Sequence, residues 1–468
     1  MTDSTPVRVR FAPSPTGELH LGGARTALYE YLFAKHHGGQ VFLRIEDTDQ
    51  KRFVSGSMDR FIDDLAWLGI AFDGEPIIQS GNAERHREIA HELVKRGAAY
   101  YEPTTDETHG GKRTDDEYRA GRTAYRGQDR DLTTQPDGPF VIRLKVPDGT
   151  IALNDVVRGR VEFDLATVDD AVLFKSDGMG TYHLAAMVDD HDMGITHIMR
   201  TEEWLPSSPK HLLIFQAMGW EVPQFAHLPL ILALDGKKLS KRIHGEAVWV
   251  STYRKQGYLP QALTNYLALL GWNPGGDREL MTHDELIEAF SLDRVHKAGA
   301  KFDQAKLDAF QAHYVQALPI DELTKQLEPF ANGLVGDELR KLATIVQGRL
   351  GKLSDFASLT HYFCELPVYD PALLVFKKSS PATTKLGLQA AVEQLERAGE
   401  ETWQSEETLA QLLERVVEVS GLTNGDVFWP VRVALTGQER SPSPAECLWV
   451  LGKEESLKRL GQALEHLK

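Results

Sequence analysis

Cysteine is nearly absent: Cys364 and Cys447 are the only two in 468 residues. They cannot supply a disulfide framework, no CxxC pair suggests a structural zinc site, and a reducing, cytoplasmic setting is expected. Long apolar runs are missing as well. The opening MTDSTPVRVRF holds no apolar core of a secretion signal, and segments such as Leu212–Phe215 and Leu228–Leu234 fall far short of the roughly 18 residues that span a bilayer. Neither secretion nor membrane insertion is expected. Nor is there an excess of positive charge. The 68 Asp and Glu outnumber 52 Lys and Arg, giving −16, which argues against a protein coated in cations for indiscriminate binding to nucleic acid or anionic lipid. A local basic track stays open. With no internal repeat and no long low-complexity tract, what remains is 42% hydrophobic and 26% charged, near the average of soluble globular chains. The length allows about two to five domains.

Val7, Val9 and Phe11 alternate with Arg8 and Arg10 as in a short strand, which Pro13-Ser14-Pro15-Thr16-Gly17 ends. A helix is expected from about Leu21 to His37, stopped by Gly38-Gly39, then a strand from Gln40 to Ile45. Met58, Phe61, Ile62, Leu65 and Leu68 fall at helical spacing, so strand and helix alternate and a parallel α/β sheet is implied. From about Thr104 to Pro139 the chain turns polar and Gly-rich. Val141–Val146, Ile151–Leu153 and Val161–Phe163 then read as short strands of an inserted α+β unit. The α/β pattern resumes with a helix from Tyr182 to Asp192, a strand at Ile195–Met199, a helix from Ser207 to Met218 and the apolar segment Leu228–Leu234. Beyond about Tyr258 the pattern is helical, as in Leu339, Leu342, Ile345 and Val346, or Leu409, Leu412, Leu413, Val416 and Val417.

Two segments invite a phosphate. His20-Leu21-Gly22-Gly23 follows the first strand and opens a helix, where unpaired N–H groups attract anions and glycine admits a close approach. Some 220 residues later, Asp235-Gly236-Lys237-Lys238-Leu239-Ser240-Lys241-Arg242 sets four cations and a hydroxyl in one loop, which suits a triphosphate. Taken singly, each is more often a plain turn or a solvated basic loop. Their order along the chain, together with Arg10-Phe11-Ala12-Pro13-Ser14-Pro15-Thr16-Gly17 and Arg44-Ile45-Glu46-Asp47-Thr48-Asp49, closely resembles the signatures of glutamyl-tRNA synthetases, which are class I aminoacyl-tRNA synthetases. Further matches at Thr181-Tyr182-His183-Leu184, Val188-Asp189-Asp190-His191, Glu202-Glu203-Trp204 and Asn265–Trp272 extend the resemblance over nearly the whole chain.

The resemblance implies a Rossmann-type catalytic domain split over 1–78 and 176–237, with an acceptor-binding insertion at 79–175. A stem-contact domain at 238–315 and an all-helical anticodon-binding region at 316–468, with a break near 380, would follow. It implies ligation of L-glutamate to tRNA-Glu in two steps, through glutamyl adenylate, with Mg²⁺ bridged by ATP rather than caged by protein. His20, Gly22, Gly23, Lys238, Ser240 and Lys241 would bind ATP, with His20, Lys238 and Lys241 catalytic. Arg10 and Arg200 would hold carboxylates, Ser14 and Tyr182 add hydroxyls, Glu46 face the ammonium, and Arg200 select glutamate over glutamine. Glu203 and Trp204 would lie beside the tRNA 3′ end, and Arg349 would read the third anticodon base. Asp47, Asp49, Asp189 and Asp190 are expected to orient basic residues rather than hold a metal.

The chain also departs from the pattern. Zinc ligands of many relatives are replaced around Tyr101-Glu102-Pro103, so no zinc is expected. Ala186 stands for an asparagine, implying one lost polar contact to the amino acid. Thr201, Gly180 and Ala309-Phe310-Gln311 are further differences, those of a divergent member. The alternatives are an enzyme that also charges tRNA-Gln and a catalytically weakened tRNA-binding paralogue. A monomer is expected.

Overall fold

The computed structural model describes residues 6–15, 17–49, 54, 56–104, 124–240, 243 and 245–467. It divides into two compact units, residues 1–255 with 260–310, and 256–259 with 311–468.

The first unit is built on parallel strands. β1 (Arg8–Phe11) and β2 (Gln40–Ile45) pair in register from Arg8 opposite Gln40 to Phe11 opposite Leu43, and the two-residue β3 (Ile77–Ile78) pairs parallel to β2 on its other side. The crossover between β1 and β2 is α1 (Leu21–His36), a helix buried on most sides. Leu21, Ala24, Leu28 and Leu32 fill it with apolar side chains. Two of its buried polar residues point at carbonyls: Arg25 donates to the Leu270 and Pro229 oxygens, and the Tyr29 hydroxyl lies 3.0 Å from those of Ala268 and Leu270. Lys35 and His36 suit the negative end of the helix, and Gly38, at φ +62°, turns the chain out of it. Gly39 must be glycine because a Cβ there would run into the Val7 carbonyl.

After α2 (Ser57–Trp67) and α3 (Ala83–Lys95), an antiparallel sheet forms from β4 (Ala99–Pro103), β5 (Phe140–Leu144) and, after the β6 (Thr150–Asp155) and β7 (Gly159–Asp164) hairpin, β8 (Val172–Phe174). Residues 105–123 of the polar stretch lie outside the described residues. The inserted segment shares its core with the flanking α/β layers, since Leu93, Ile142, Leu144 and Leu173 cluster with Leu184, Met187, Val188 and Phe215. β6 also rejoins the parallel sheet, the Val156 N–H donating to the Phe225 carbonyl.

α4 (Tyr182–Asp192), β9 (His197–Thr201), α5 (Ser208–Met218) and β10 (Gln224–Leu228) complete this layer, with β9 parallel to β10. β9 starts two residues later than its apolar pattern suggests because the Ile195 N–H is spent on the Asp190 carbonyl, closing α4. The apolar Leu228–Leu234 segment is not one continuous strand: it holds the end of β10 and then β11. Pro229 has no N–H to give, Leu230 donates instead to Glu202, and β11 (Ile231–Leu232) then pairs with β12 (Ala300–Lys301). The Thr196 N–H donates to the Arg8 carbonyl at 2.9 Å, which sets β9 beside β1. From β1 the chain runs outward to β2 on one side and to β9 and β10 on the other, so the strand order reverses between β1 and β9. Open α/β sheets bind ligands at the carboxyl ends of the strands at such a point. α6 (Val250–Lys255), α7 (Pro260–Leu269) and α8 (His283–Ala289) follow, then α9 (Gln304–Ala317).

The second unit is helical: α10 (Ile320–Leu327), α11 (Gly336–Val346), α12 (Phe356–Cys364), α13 (Pro381–Arg397), α14 (Glu406–Ser420), α15 (Asn424–Thr436) and α16 (Pro444–His466). Most apolar positions read from the sequence are its core on α11 and α14, with Leu339, Leu342, Leu409 and Leu413 fully buried and Leu412 and Val417 only partly so. Gln311 ties the segment 256–259 to this unit by accepting from the Leu259 N–H and donating to the Gly257 carbonyl. Arg459 of α16 is 2% exposed and donates to the carbonyls of Tyr362 and Phe363 near the end of α12 and of Leu435 near the end of α15. A cation there meets the negative ends of two helices. Replacing it, Arg459→Met, strands those carbonyls and is expected to cost about 2 kcal/mol, read as a lower urea midpoint of the helical unit; an unchanged midpoint would contradict this assignment.

Candidate active site

The carboxyl ends of β1, β2 and β9 present Arg10, Glu46 and Arg200, all buried or nearly so. Arg10 chelates Asp190 of α4, with Nε 2.7 Å from Oδ1 and Nη2 3.3 Å from Oδ2, and its Nη1 lies 3.7 Å from Glu30 of α1. Arg44 binds the same carboxylate from β2 at 2.6 Å and reaches Glu46 at 2.9 Å. Burial alone would raise the Asp190 carboxyl, but the two guanidiniums outweigh it and hold the group below its ordinary value. Burial raises Glu46 above its ordinary value against the pull of Arg44 and Arg10, and it raises Glu30 far more. Asp189, the neighbour of Asp190, takes Gln79 at 2.9 Å, Asn82 at 3.0 Å and His86 at 2.9 Å. Asp47 accepts from the Ser80 backbone and hydroxyl. Of the four suspected aspartates, Asp190 thus holds two arginines, Asp189 holds a histidine and two amides, Asp47 holds Ser80 rather than a basic residue, and Asp49 lies exposed.

Arg200 differs from Arg10. Its partners are His227 and His211, both at 2.9 Å, the Ser208 hydroxyl at 3.0 Å and the Tyr182 hydroxyl at 3.3 Å. Among the described residues no carboxylate forms an ion pair with it, and burial lowers its pKa. Tyr182 packs on Trp204, ring centroids 4.4 Å apart, and Trp204 is otherwise exposed. Ser14 is exposed on the loop after β1, whose Pro13 carbonyl accepts from the Glu46 N–H.

At the start of α1, His20 is the N-cap. Its Nδ1 accepts from the Gly22 N–H at 2.9 Å, which leaves the proton on Nε2. A Cβ on Gly22 would press on that ring at 3.2 Å, whereas Gly23 has ordinary contacts only. Burial and nearby Lys238 pull the His20 pKa down to about 4, so the ring is neutral at physiological pH. Lys238 lies on a turn built by β11: the Leu239 N–H donates to the Ile231 carbonyl, and Gly236 reverses the chain at φ +82°. Its ammonium sits 2.6 Å from both oxygens of Glu203. The tandem acids thus part company, for Glu202 caps Leu230 and pairs with Arg158 at 2.7 Å. Ser240 is half-buried in the same loop, and Lys241 lies outside the described residues.

The structure thus brings Arg10, Glu46, Tyr182 and Arg200 to one edge of the sheet, and His20, Gly22, Lys238 and Glu203 to the neighbouring helix end. Arg349 is exposed on the helical unit, at the turn that closes α11. Ala186 is fully buried in the apolar core of α4. Around Tyr101-Glu102-Pro103 the insertion is pinned by ions: Glu102 holds Arg143 at 2.8 Å, and buried Asp170 takes Arg130 at 2.7 Å and the Tyr100 hydroxyl at 3.1 Å. No group of three or more His, Cys, Asp or Glu among the described residues could hold a metal ion, and no described helix is long and apolar enough to cross a membrane. Missed by the sequence reading were Glu30 and Asp155 and the pair His211 and His227, whose residue types carry no distinctive spacing.

His20 is both cap and donor, which makes it testable. His20→Ala is expected to cost about 1 kcal/mol of stability and, on the role that the sequence resemblance implies, to slow amino-acid activation about a hundredfold. His20→Asn keeps an acceptor for Gly22 and an N–H donor, so it should recover stability and part of the rate. Because the ring stays neutral, the wild-type rate should show no titration from it between pH 5 and 8. Equal losses in both variants would contradict the dual role.

A helix N-terminus capped by His20, Lys238 beside it and buried guanidiniums at a sheet switch point fit a nucleotide-activating enzyme of the class I synthetase type. The comparisons narrow the class. Residues 6–309 match the family model described as tRNA synthetases class I (E and Q), catalytic domain, and residues 322–464 match an anticodon binding domain. The chain belongs to the class I tRNA synthetases of the glutamate and glutamine family. It is 40% identical to glutamate–tRNA ligase 1 of Caldanaerobacter subterraneus subsp. tengcongensis, covering 99% of this chain and 98% of that one. It is 42% identical to the glutamate–tRNA ligase of Roseiflexus sp., covering 98% and 96%. Among solved structures, a glutamate tRNA ligase from Elizabethkingia meningosepticum in complex with its amino acid superposes with a TM-score of 0.87 at 37% identity, covering 99% of this chain and all of that one.

Proposed function

We propose that this chain is a glutamate–tRNA ligase that consumes Mg–ATP. An α-carboxylate oxygen of glutamate attacks the α-phosphorus, the bond to the bridging oxygen breaks, and its electron pair leaves with pyrophosphate. The 2′-hydroxyl of the terminal tRNA adenosine then attacks the acyl carbon, loses its proton and releases AMP. Magnesium would enter with the nucleotide and supply charge neutralisation on its phosphates.

The observation that carries this reading is Arg200, a buried guanidinium without an acid partner among the described residues, at the end of β9. A buried cation that no acid neutralises favours an anion strongly, and a guanidinium suits a carboxylate. In this reading Arg200 takes the side-chain carboxylate of glutamate. Arg10, held by Asp190, takes carboxylate oxygens at the reacting end, and Glu46 faces the ammonium with Tyr182 and Ser14 adding hydroxyl contacts. The α1 end at His20, Gly22 and Gly23 takes ATP phosphate, while Lys238, Ser240 and Lys241 meet the charge that grows on pyrophosphate. Glu203 and Trp204 lie where the tRNA 3′ end would arrive, and exposed Arg349 is a reader of the anticodon. The protein acts as a monomer in the cytoplasm and without zinc.

Charging of tRNA-Glu and tRNA-Gln transcripts side by side tests the proposal. Glutamate on tRNA-Glu is the expected result, and its absence with tRNA, Mg–ATP and glutamate all present would overturn it. Glutamate on tRNA-Gln as well would define a non-discriminating enzyme.

A further inference from the structure

Four of the five N–H groups of Arg200 are engaged, and every acceptor is neutral. Its Nε–H donates to His227 Nε2, which fixes the His227 proton on Nδ1, and that atom lies 2.6 Å from Asp155 Oδ2. Asp155 is itself anchored: Oδ1 accepts from the Val157 and Arg158 N–H groups at 2.9 and 2.7 Å, and both oxygens lie close to the His227 N–H. Burial would raise this carboxyl, but the hydrogen bonds from His227 and Arg158 hold it below its ordinary value, so it is ionised. On the other side Arg200 Nη1 donates to His211 Nδ1, leaving the His211 proton on Nε2, 3.1 Å from His183 Nδ1. Burial keeps His227 and His211 neutral and pulls His183 down to about 3. Phe225 lies under the guanidinium at 5.2 Å. Asp155 and His227 are wholly buried, as are His211 and Ser208.

Arg10 is held by a carboxylate that cancels much of its charge. Arg200 is held as firmly by imidazoles that cancel none. We infer that His227, set by Asp155, and His211 are positioning residues that lock Arg200 in one orientation while leaving its charge for the substrate, so that preference for an anionic side chain over its amide depends on them. This rests on the proposed function, in which Arg200 takes the side-chain carboxylate of glutamate. A direct carboxylate clamp would orient the guanidinium equally well but would weaken its pull on an anion. An imidazole between Asp155 and Arg200 transmits the geometry and keeps the negative charge one ring away. A fixed donor array discriminates by leaving a wrong partner unsatisfied, and that discrimination decays when the array can turn.

The test compares His227→Leu, His227→Gln, Asp155→Asn and His211→Asn by steady-state charging of tRNA-Glu. His227→Leu and Asp155→Asn are expected to raise the KM for glutamate about tenfold or more, with the KM for ATP within about twofold of wild type and weaker exclusion of glutamine as a competitor. His227→Gln restores an acceptor for Arg200 Nε and should recover part of the loss. If His227→Leu does not fold, Asp155→Asn carries the same comparison because it preserves side-chain shape, and His211→Asn, which can keep an acceptor for Arg200 Nη1, should lose less. An unchanged glutamate KM, or a rise shared equally by glutamate and ATP, in a wild-type background that charges tRNA-Glu overturns this inference alone. A wild type that forms no glutamyl-tRNA overturns the proposed function, and the inference with it.

Discussion

Asp190→Asn is expected to destabilise the first unit by about 3–5 kcal/mol, the cost of removing one partner from a buried ion pair. The substitution preserves shape, so packing is not the cause. Asp190 is fully buried and takes both Arg10 and Arg44, and an amide in its place leaves two guanidiniums facing each other without their shared anion. Glu30 cannot substitute, because burial drives it toward its neutral form and its nearer oxygen lies 3.7 Å from Arg10. The pH dependence has a definite sign. A carboxylate whose folded pKa is depressed contributes in full above its unfolded value, near 3.8, and loses that contribution only as pH falls through the lower folded value. The gap between wild type and variant in urea denaturation should therefore be constant from pH 5 to 8. Asp192→Asn, two residues along on α4, breaks only an exposed pair with Arg85 and should move the midpoint little. Similar midpoints for the two variants would refute the central place given to Asp190.

Lys238→Ala is expected to lower the rate of glutamyl-adenylate formation about a thousandfold while changing the KM for ATP only a few-fold, the signature of a contact that strengthens in the transition state. In the structure the ammonium rests on Glu203 at 2.6 Å, close enough to His20 to depress that ring. The pair is half exposed, so its loss should leave stability nearly unchanged. In the proposed function the charge on the leaving pyrophosphate grows as its bond breaks, which is why rate more than binding should suffer. Lys238→Arg keeps the charge and should recover part of the rate. Pyrophosphate exchange in the presence of tRNA measures both, and equal changes in KM and rate would remove Lys238 from the assigned role.

Strands and helices bounded by Gly or Pro breaks were legible from the sequence. β2 and α4 fall where the pattern put them, and α1 ends within a residue of it, because apolar periodicity ran unbroken between clear stops. α3 was not legible: AERHREIAHELVK is so rich in charge that its apolar face, Ile89, Ala90, Leu93 and Val94, shows only once β4 and β5 lie under it. The Pro229 break divided a continuous apolar segment because hydrogen-bond supply, not hydropathy, decides where a strand ends.

The site was legible where residues cluster in short motifs, as at His20 and at Lys238. Its supports were not, because the contacts are remote in sequence: Arg10 meets Asp190 across 180 positions and His227 meets Asp155 across 72. A lone histidine such as His227 or His211 looks like any core histidine until Arg200 is seen between them.

The most direct measurement digests the tRNA after incubation with labelled glutamate and Mg–ATP and identifies what the terminal adenosine carries. Adenosine esterified with glutamate, formed on tRNA-Glu and absent when ATP or tRNA is withheld, is the predicted result. A terminal adenosine that stays free with every substrate present would contradict the account.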